Sequence, residues 1–232
     1  MARQSARSFD AFAETYDRLA SLSAGFVRSF LESALPEAGS RAVDLGCGTG
    51  HHAAMLATRF DEVLAVDISS SMVEIARARR ARPNITHELR DLRDVSPEKD
   101  GCFDLVFSAS TLHHVPDLDD ALRRIRDLLA PGGRVVLLDN VALKPAVPRW
   151  WFIREALRRF GGDVLGRRRP VREAIEVLRL QTHPSWLDHV TTDRFLSPSE
   201  FRHRYGDVFP GGVFTDLYRT CVLTWQNALA PV

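Results

Sequence analysis

A doubly wound α/β fold, built on a seven-stranded and mostly parallel sheet, is predicted by three features of this chain. An apolar run, Arg41-Ala42-Val43-Asp44-Leu45, breaks into the alternating glycines Gly46, Gly48 and Gly50. It then continues as helix-compatible sequence through Ala53-Ala54-Met55-Leu56-Ala57. Strand-like and helix-like stretches alternate from there to Leu138, the rhythm of successive βαβ units. Asp67 ends the second apolar run, about 20 residues past the glycine turn, where such folds set a ligand-binding carboxylate.

Taken in order, residues 1–40 read as a helical cap, with apolar positions at Phe9, Phe12, Ala13, Tyr16 and Leu19, then Phe26, Phe30 and Leu31. Val63-Leu64-Ala65-Val66 is a short buried-type strand. It leads into a helix that Ser71 and Glu74 can open as a capping box. Ile85 to Leu89 and Phe103 to Ser108 are the next two strands. Asp117 to Leu129 carries apolar residues at helical spacing with acids in its first turn, and Pro131-Gly132-Gly133 reads as its stop. Arg134 to Leu138 is the fifth strand. From Lys144 the rhythm ends: two helices, Pro148 to Phe160 and Pro170 to Leu180, flank a Gly-Gly hinge and an Arg167-Arg168-Arg169 run. His183 to Asp193 follows as an aromatic- and histidine-bearing loop. Ser197-Pro198-Ser199-Glu200 starts a helix with proline just inside it. Gly211 to Phe214 and Cys221 to Trp225 close the sheet. The expected organisation is a single domain: cap 1–40, core 41–143, a helical lid insertion 144–196 over the ligand face, and a closing helix and strand pair 197–232.

Composition excludes several classes. The chain of 232 residues is 45% hydrophobic and 26% charged with a net charge of +1, so it buries a sizeable core and has no general pull toward nucleic acid or acidic membranes. Lys99 and Lys144 are the only lysines. Three cysteines without a C-x-x-C pair argue against a disulfide framework or zinc knuckle, and no metal site is expected. Met1 to Leu19 is polar and acid-bearing, unlike a signal peptide, and no apolar run approaches the ~20 residues of a membrane span. A cytoplasmic protein is expected, monomer or homodimer.

The glycine turn narrows the ligand. A dinucleotide fingerprint is G-x-G-x-x-G, whereas here the spacing is G-x-G-x-G and His51 stands at the third dinucleotide position. Val43 to Gly50, Val66-Asp67-Ile68-Ser69, Arg90-Asp91-Leu92, Phe103-Asp104-Leu105-Val106 and Leu129-Ala130-Pro131-Gly132-Gly133 resemble, in order, the motifs of class I S-adenosylmethionine-dependent methyltransferases. The small-molecule branch akin to the ubiquinone and menaquinone methyltransferases is the nearest subgroup, and the resemblance covers roughly residues 40–140.

The resemblance implies S-adenosylmethionine as cofactor and S-adenosylhomocysteine as product. It implies that Gly46, Gly48 and Gly50 let the backbone wrap the methionine moiety and that Asp44 orients its ammonium group. Asp67 would bind the ribose diol, Ile68 pack on the adenine, and Asp91 with the Leu92 N–H meet the adenine edge. Ser108 would open onto the methyl group, and Tyr16 in Tyr16-Asp17 would close over the cofactor. Asp67 as a bare helix cap is the alternative, weakened by the serines that follow it. Cys47 reads as a small turn residue, and Met72 as core that touches the adenine.

Methyl transfer from a sulfonium is an in-line displacement, so positioning carries most of the rate, and a base is needed only for an acceptor that must lose a proton. His113, His114 and His189 are the candidate catalytic residues. For the first two, a structural duty ranks ahead of a catalytic one. His183 and Asp188 share the lid loop with Trp186 and His189, a constellation that suits an acceptor pocket or an ordinary polar loop equally. Eight arginines from Arg149 to Arg172 beside Trp150, Trp151 and Phe152 suit an RNA or anionic-substrate surface. The low net charge favours instead an amphipathic helix with Trp151 and Leu157 turned inward. Ser108-Ala109-Ser110-Thr111 replaces the Asn/Asp-Pro-Pro-Tyr of enzymes that methylate adenine or glutamine nitrogen. The expected partner is therefore a small-molecule acceptor (O-, N- or C-nucleophile). An RNA or protein methyltransferase is the alternative, and a non-catalytic cofactor-binding module the third reading.

Overall fold

Strand order in the sheet is β3-β2-β1-β4-β5-β7-β6. The strands are β1 (Gly39–Leu45), β2 (Phe60–Asp67), β3 (Ile85–Leu89), β4 (Phe103–Ala109), β5 (Leu129–Asn140), β6 (Val213–Leu217) and β7 (Thr220–Gln226). Strands β1 to β5 pair in parallel, and β7 runs antiparallel between β5 and β6. The computed structural model describes residues 9–10, 12–23, 25–143 and 146–227, leaving aside the side chains of 23 and 25–28. The expected helical start over 1–8, the core position Phe26 and the boundary Lys144 lie outside that description.

Ten α-helices have bounds among the described residues. They are α1 (Ala13–Ser23), α2 (Gly25–Ala34), α3 (His51–Leu56), α4 (Ser70–Arg79), α5 (Pro97–Asp100), α6 (Leu118–Asp127), α7 (Arg149–Leu165), α8 (Val171–Gln181), α9 (Pro184–Val190) and α10 (Pro198–Val208). The strands read as continuous apolar runs because both faces of the sheet are covered. Val43, Leu45, Val106, Val135 and Leu137 pack on one side with Leu122 and Ile125 of α6 and Phe201 and Tyr205 of α10. Ala42, Leu105, Phe107, Val136 and Leu138 face the other side, against Leu31 of α2 and Ala53 and Leu56 of α3. The chain order reverses between β1 and β4, and the crevice beyond the carboxyl ends of those two strands is the switch point where such sheets take ligands.

Four local expectations are corrected. The cap of α4 is Ser69, whose hydroxyl accepts the Met72 N–H, so no Ser71–Glu74 capping box forms. Pro131-Gly132-Gly133 does not precede β5 but lies within it: Phe103 pairs with Leu129 and Leu105 with Arg134, and the surplus residues bulge between. Helix α7 runs straight through Gly161 and Gly162, where an added Cβ would meet nothing within 4 Å beyond the helix itself. Each glycine costs about 1 kcal/mol of helix propensity, which packing on its neighbours offsets. Finally, the segment after His183 is helix α9 rather than a loop, capped by the His183 ring accepting the Ser185 N–H. The capping box at Ser197–Glu200 forms as expected.

Candidate active site

A cavity of about 630 Å³ opens at the switch point, walled below by the ends of β1, β2, β4 and β5 and above by Phe9, α1 and the helices of 149–190. Its floor is set by the glycine turn. Gly46 has φ +78°, and a Cβ there would stand 2.2 Å from Cγ2 of Thr111, so only glycine lets β1 end against the β4 loop. Gly48, φ +51°, leaves its wall bare apart from Tyr16, whose Cε1 would lie 3.5 Å from an added Cβ. Gly50 is not on the cavity wall. Its bare Cα lets α3 start close against Ala76 of α4 and His87.

Asp67 lines the cavity. Its Oδ2 accepts the Gly48 N–H at 2.8 Å and its Oδ1 the Ser69 N–H at 2.9 Å, which ties the glycine turn to the start of α4. Burial raises its pKa against those hydrogen bonds. Asp44 is 1% exposed at the end of β1, and neither carboxylate oxygen has a hydrogen-bond partner. Burial first, then the charge of Asp67, pushes its pKa up to about 8. A buried acid left unpaired costs stability and fits a cation to come.

Ile68, Met72, Asp91 and Leu92 continue the wall. Asp91 caps a single 3₁₀ turn and holds Arg93 through both carboxylate oxygens, which lowers its pKa. Tyr16 also lines the cavity, and burial followed by the nearby acids pushes its phenol up to about 12. Helix α1 is fastened there by Asp17, which meets Arg79 at 2.6 Å, Arg80 at 2.7 Å and His51 at 3.2 Å. Ser108 is fully buried, and its hydroxyl donates to the Leu45 carbonyl at 2.7 Å, tying β4 to β1. Ala109, Ser110 and Thr111 face the cavity in its place. Burial raises the Cys47 thiol well above its ordinary range, so it is no nucleophile.

The far end gathers the histidines. His113 Nδ1 lies 2.5 Å from Asp139 Oδ1, its backbone N–H donates to Asp139 Oδ2 at 2.8 Å, and its Nε2 is 3.8 Å from Asp193. Burial opposes its charge, but the two carboxylates outweigh it and hold its pKa up at about 10. His114 is pushed down to about 3 by burial and then by the charge of His113. The pKa of His189 is lowered by burial, and its ring lies tilted at 38° against Phe12, 4.3 Å between centroids. Trp186 joins it on the wall. Asp188, by contrast, pairs at the surface with Arg149 at 2.6 Å, and His183 serves as the α9 cap.

Helix α7 turns Phe152, Glu155, Ala156 and Arg159 to the cavity, whereas Leu157 is 54% exposed and not inward as expected. Several of the arginines are committed to acids: Arg158 to Glu155 at 2.6 Å and Arg169 to Asp163 at 2.8 Å. Asp139 and Asp193 went unread as site residues. Asp139 carries the same signal as Asp67, an acid ending an apolar strand.

Residues 43–137 match a family model described as a methyltransferase domain. That match runs from β1 to β5, 95 of the 232 residues. Among curated proteins, trans-aconitate 2-methyltransferase of Methylobacterium radiotolerans is 41% identical over 110 residues, 46% of this chain and 41% of that protein. Ubiquinone biosynthesis O-methyltransferase of Xanthomonas axonopodis pv. citri is 31% identical over 110 residues, 47% of this chain and 46% of that protein. The chain thus covers less than half the length of these relatives. Solved structures agree with the domain's fold along nearly the whole chain. The DhpI–SAH complex gives a TM-score of 0.62 at 22% identity, covering 100% of this chain and 98% of that one. An S-adenosylmethionine-dependent methyltransferase from Mesorhizobium loti gives 0.61 at 20%, covering 89% and 100%. At these identities the likeness concerns the fold. No helix among the described residues is long and apolar enough to cross a membrane.

Proposed function

We propose that this chain transfers a methyl group from S-adenosylmethionine to a small-molecule acceptor held in the cavity. The observation that carries the reading is Asp44: a buried carboxylate without a partner, two residues before a glycine turn that is bare toward the cavity. That donor set suits an amino acid's ammonium group. Gly46 and Gly48 would admit the methionine moiety, Asp67 the ribose diol, Ile68 and Met72 the adenine face, and Asp91 with Leu92 its edge. Asp67 has lone pairs to spare, since a carboxylate takes about four hydrogen bonds and two are used. When bound, the cofactor supplies an electrophilic methyl group on a sulfonium.

The chain's own contribution is enclosure and aim. Tyr16, Phe9, Trp186 and His189 wall the cavity with rings and exclude water, and a dry pocket does not oppose a reaction that disperses charge. An acceptor seated against helices 149–190 and the end of β5 is held in line by groups on rigid elements. The enclosed cavity and the ion-paired arginines support a small molecule over RNA.

Calorimetry with S-adenosylmethionine and with NAD tests the reading. We expect binding of the former alone, weakened at least tenfold in Asp67→Ala, and formation of S-adenosylhomocysteine with a metabolite pool and not with RNA. Binding of NAD alone would overturn it.

A further inference from the structure

Asp193 sits among imidazoles at spacings that hydrogen bonding does not explain. Its side chain is 6% exposed, and its Oδ1 has no hydrogen-bond partner. His113 Nε2 stands 3.8 Å from Oδ2, His114 Nδ1 3.7 Å from Oδ1 and His189 Nε2 4.0 Å from Oδ1. Those gaps exceed the ~2.7–3.2 Å of an N–H···O bond. Donor atoms bound ~2.0–2.2 Å from one ion stand roughly 3–4 Å apart, the spacing of Asp193 from each imidazole. One donor atom from each of His113, His114 and Asp193 lies within 4.8 Å of the other two, so a closure of about 1 Å or less brings all three to the separations of atoms on one ion.

The back of the cluster is built in the same sense. Asp139 holds the far nitrogen of His113 at 2.5 Å and its backbone N–H at 2.8 Å, which fixes the ring and leaves Nε2 directed at Asp193. A carboxylate on the remote nitrogen is the usual support of a metal-bound histidine. All three donor residues also line the cavity, so an ion there keeps open positions toward it.

We infer that His113, His114 and Asp193 form a binding site for a divalent transition-metal ion, with Asp139 as the positioning residue behind His113. Two imidazoles and one carboxylate suit zinc, cobalt, manganese or ferrous iron better than magnesium or calcium. The open positions would take an oxygen donor of the acceptor, a hydroxyl or a carboxylate. The inference goes beyond methyl transfer, and its test needs no turnover.

The full chain, stripped with a chelator, is titrated with Co2+ by visible absorption and with Zn2+ by calorimetry. One ion per chain is expected. The affinity should fall at least 100-fold in Asp193→Asn and in His114→Ala, and about 10–100-fold in Asp139→Asn. Far-ultraviolet circular dichroism and thermal melting check that each variant is folded. His203→Ala, an exposed histidine elsewhere, should bind as the parent does. No saturable binding in the micromolar range overturns the inference. So does binding that Asp193→Asn and His114→Ala both leave unchanged, since the ion then sits elsewhere.

Discussion

Replacing Asp44 by asparagine separates what this residue costs the fold from what it does for the ligand. In the folded chain its pKa stands at about 8 against an ordinary value of 3.8, burial being the larger cause and Asp67 the second. The folded state therefore keeps a proton that the unfolded state gives up, and stability falls as pH rises from about 4 to about 8. Below that window Asp44 is neutral in both states and costs nothing. At 1.36 kcal/mol per unit, the loss is about 3 kcal/mol by pH 6 and on the order of 5 kcal/mol at pH 8 and above. The amide of Asp44→Asn keeps the shape and loses the titration. The variant should thus melt with the parent at pH 4 and above it at pH 8.5, by roughly 10 °C or more for a chain of this size.

Ligand binding should move the other way. Removing one partner of a buried charge pair costs about 3–5 kcal/mol, so S-adenosylmethionine affinity should drop about 10²–10⁴-fold. In the parent at pH 7, capture of an ammonium group by Asp44 should release about 0.9 proton, measurable by calorimetry in two buffers of different ionisation enthalpy. A melting difference that is flat from pH 4 to 8.5 refutes the burial argument. Unchanged affinity without proton release refutes the role of Asp44 at the ligand.

Three further outcomes follow from the geometry. Gly46→Ala places a Cβ 2.2 Å from Thr111 Cγ2 and 2.3 Å from its Oγ1 at φ +78° and should cost about 2–4 kcal/mol in denaturant titration; Thr111→Ala, which removes both atoms, should recover part of the steric share, and a neutral Gly46→Ala would disprove the close approach. Ser108→Ala loses its bond to Leu45 and should cost about 1 kcal/mol with cofactor affinity intact, whereas a tenfold weaker Kd would show that Ser108 does reach the ligand. In Asp17, burial is outweighed by Arg79, Arg80 and His51, so its pKa is lowered and its stabilising contribution is present above about 3.8 and lost as pH falls through the lower folded value. Asp17→Asn should therefore remove amide-exchange protection from α1 at pH 7, and protection equal to the parent's would show that the arginines do not fasten the helix.

The fold was legible where local pattern and tertiary context agree. Apolar runs bounded by turns marked the central strands β1, β2, β4 and β5, because a sheet covered on both faces demands nearly unbroken apolar sequence, whereas the edge strands β3 and β6 are mixed. Errors fell where packing overrides local preference. Gly161 and Gly162 read as a hinge, yet a helix already docked on its neighbours tolerates two glycines on an open face. Pro131-Gly132-Gly133 read as a stop before β5, yet Leu129 pairs with Phe103 first and the turn residues become a bulge. Ser69 and Ser71 are alike as caps on paper. Ser69 takes the role while Ser71 N–H is satisfied from outside the helix, by Asp10.

The two ends of the site differ in legibility for the same physical reason. At the glycine turn, the backbone geometry itself needs particular residues: positive φ asks for glycine at 46, and the carboxylate that braces the turn is the last residue of the adjacent parallel strand. Both marks lie within one βαβ unit, so Asp44, Gly46, Gly48 and Asp67 were all visible in sequence. At the far end no single segment carries the chemistry. His113 and His114 come from the loop after β4, Asp139 from β5, His189 from α9 and Asp193 from the turn beyond it. Each alone is an ordinary histidine or acid, and what distinguishes them is that burial brings one carboxylate within 4.0 Å of three imidazoles. Chemistry made by convergence of separate segments leaves no spacing to read. A search for the acceptor should therefore vary Asp139 and Asp193 together with the histidines, because substitutions that share one network do not add.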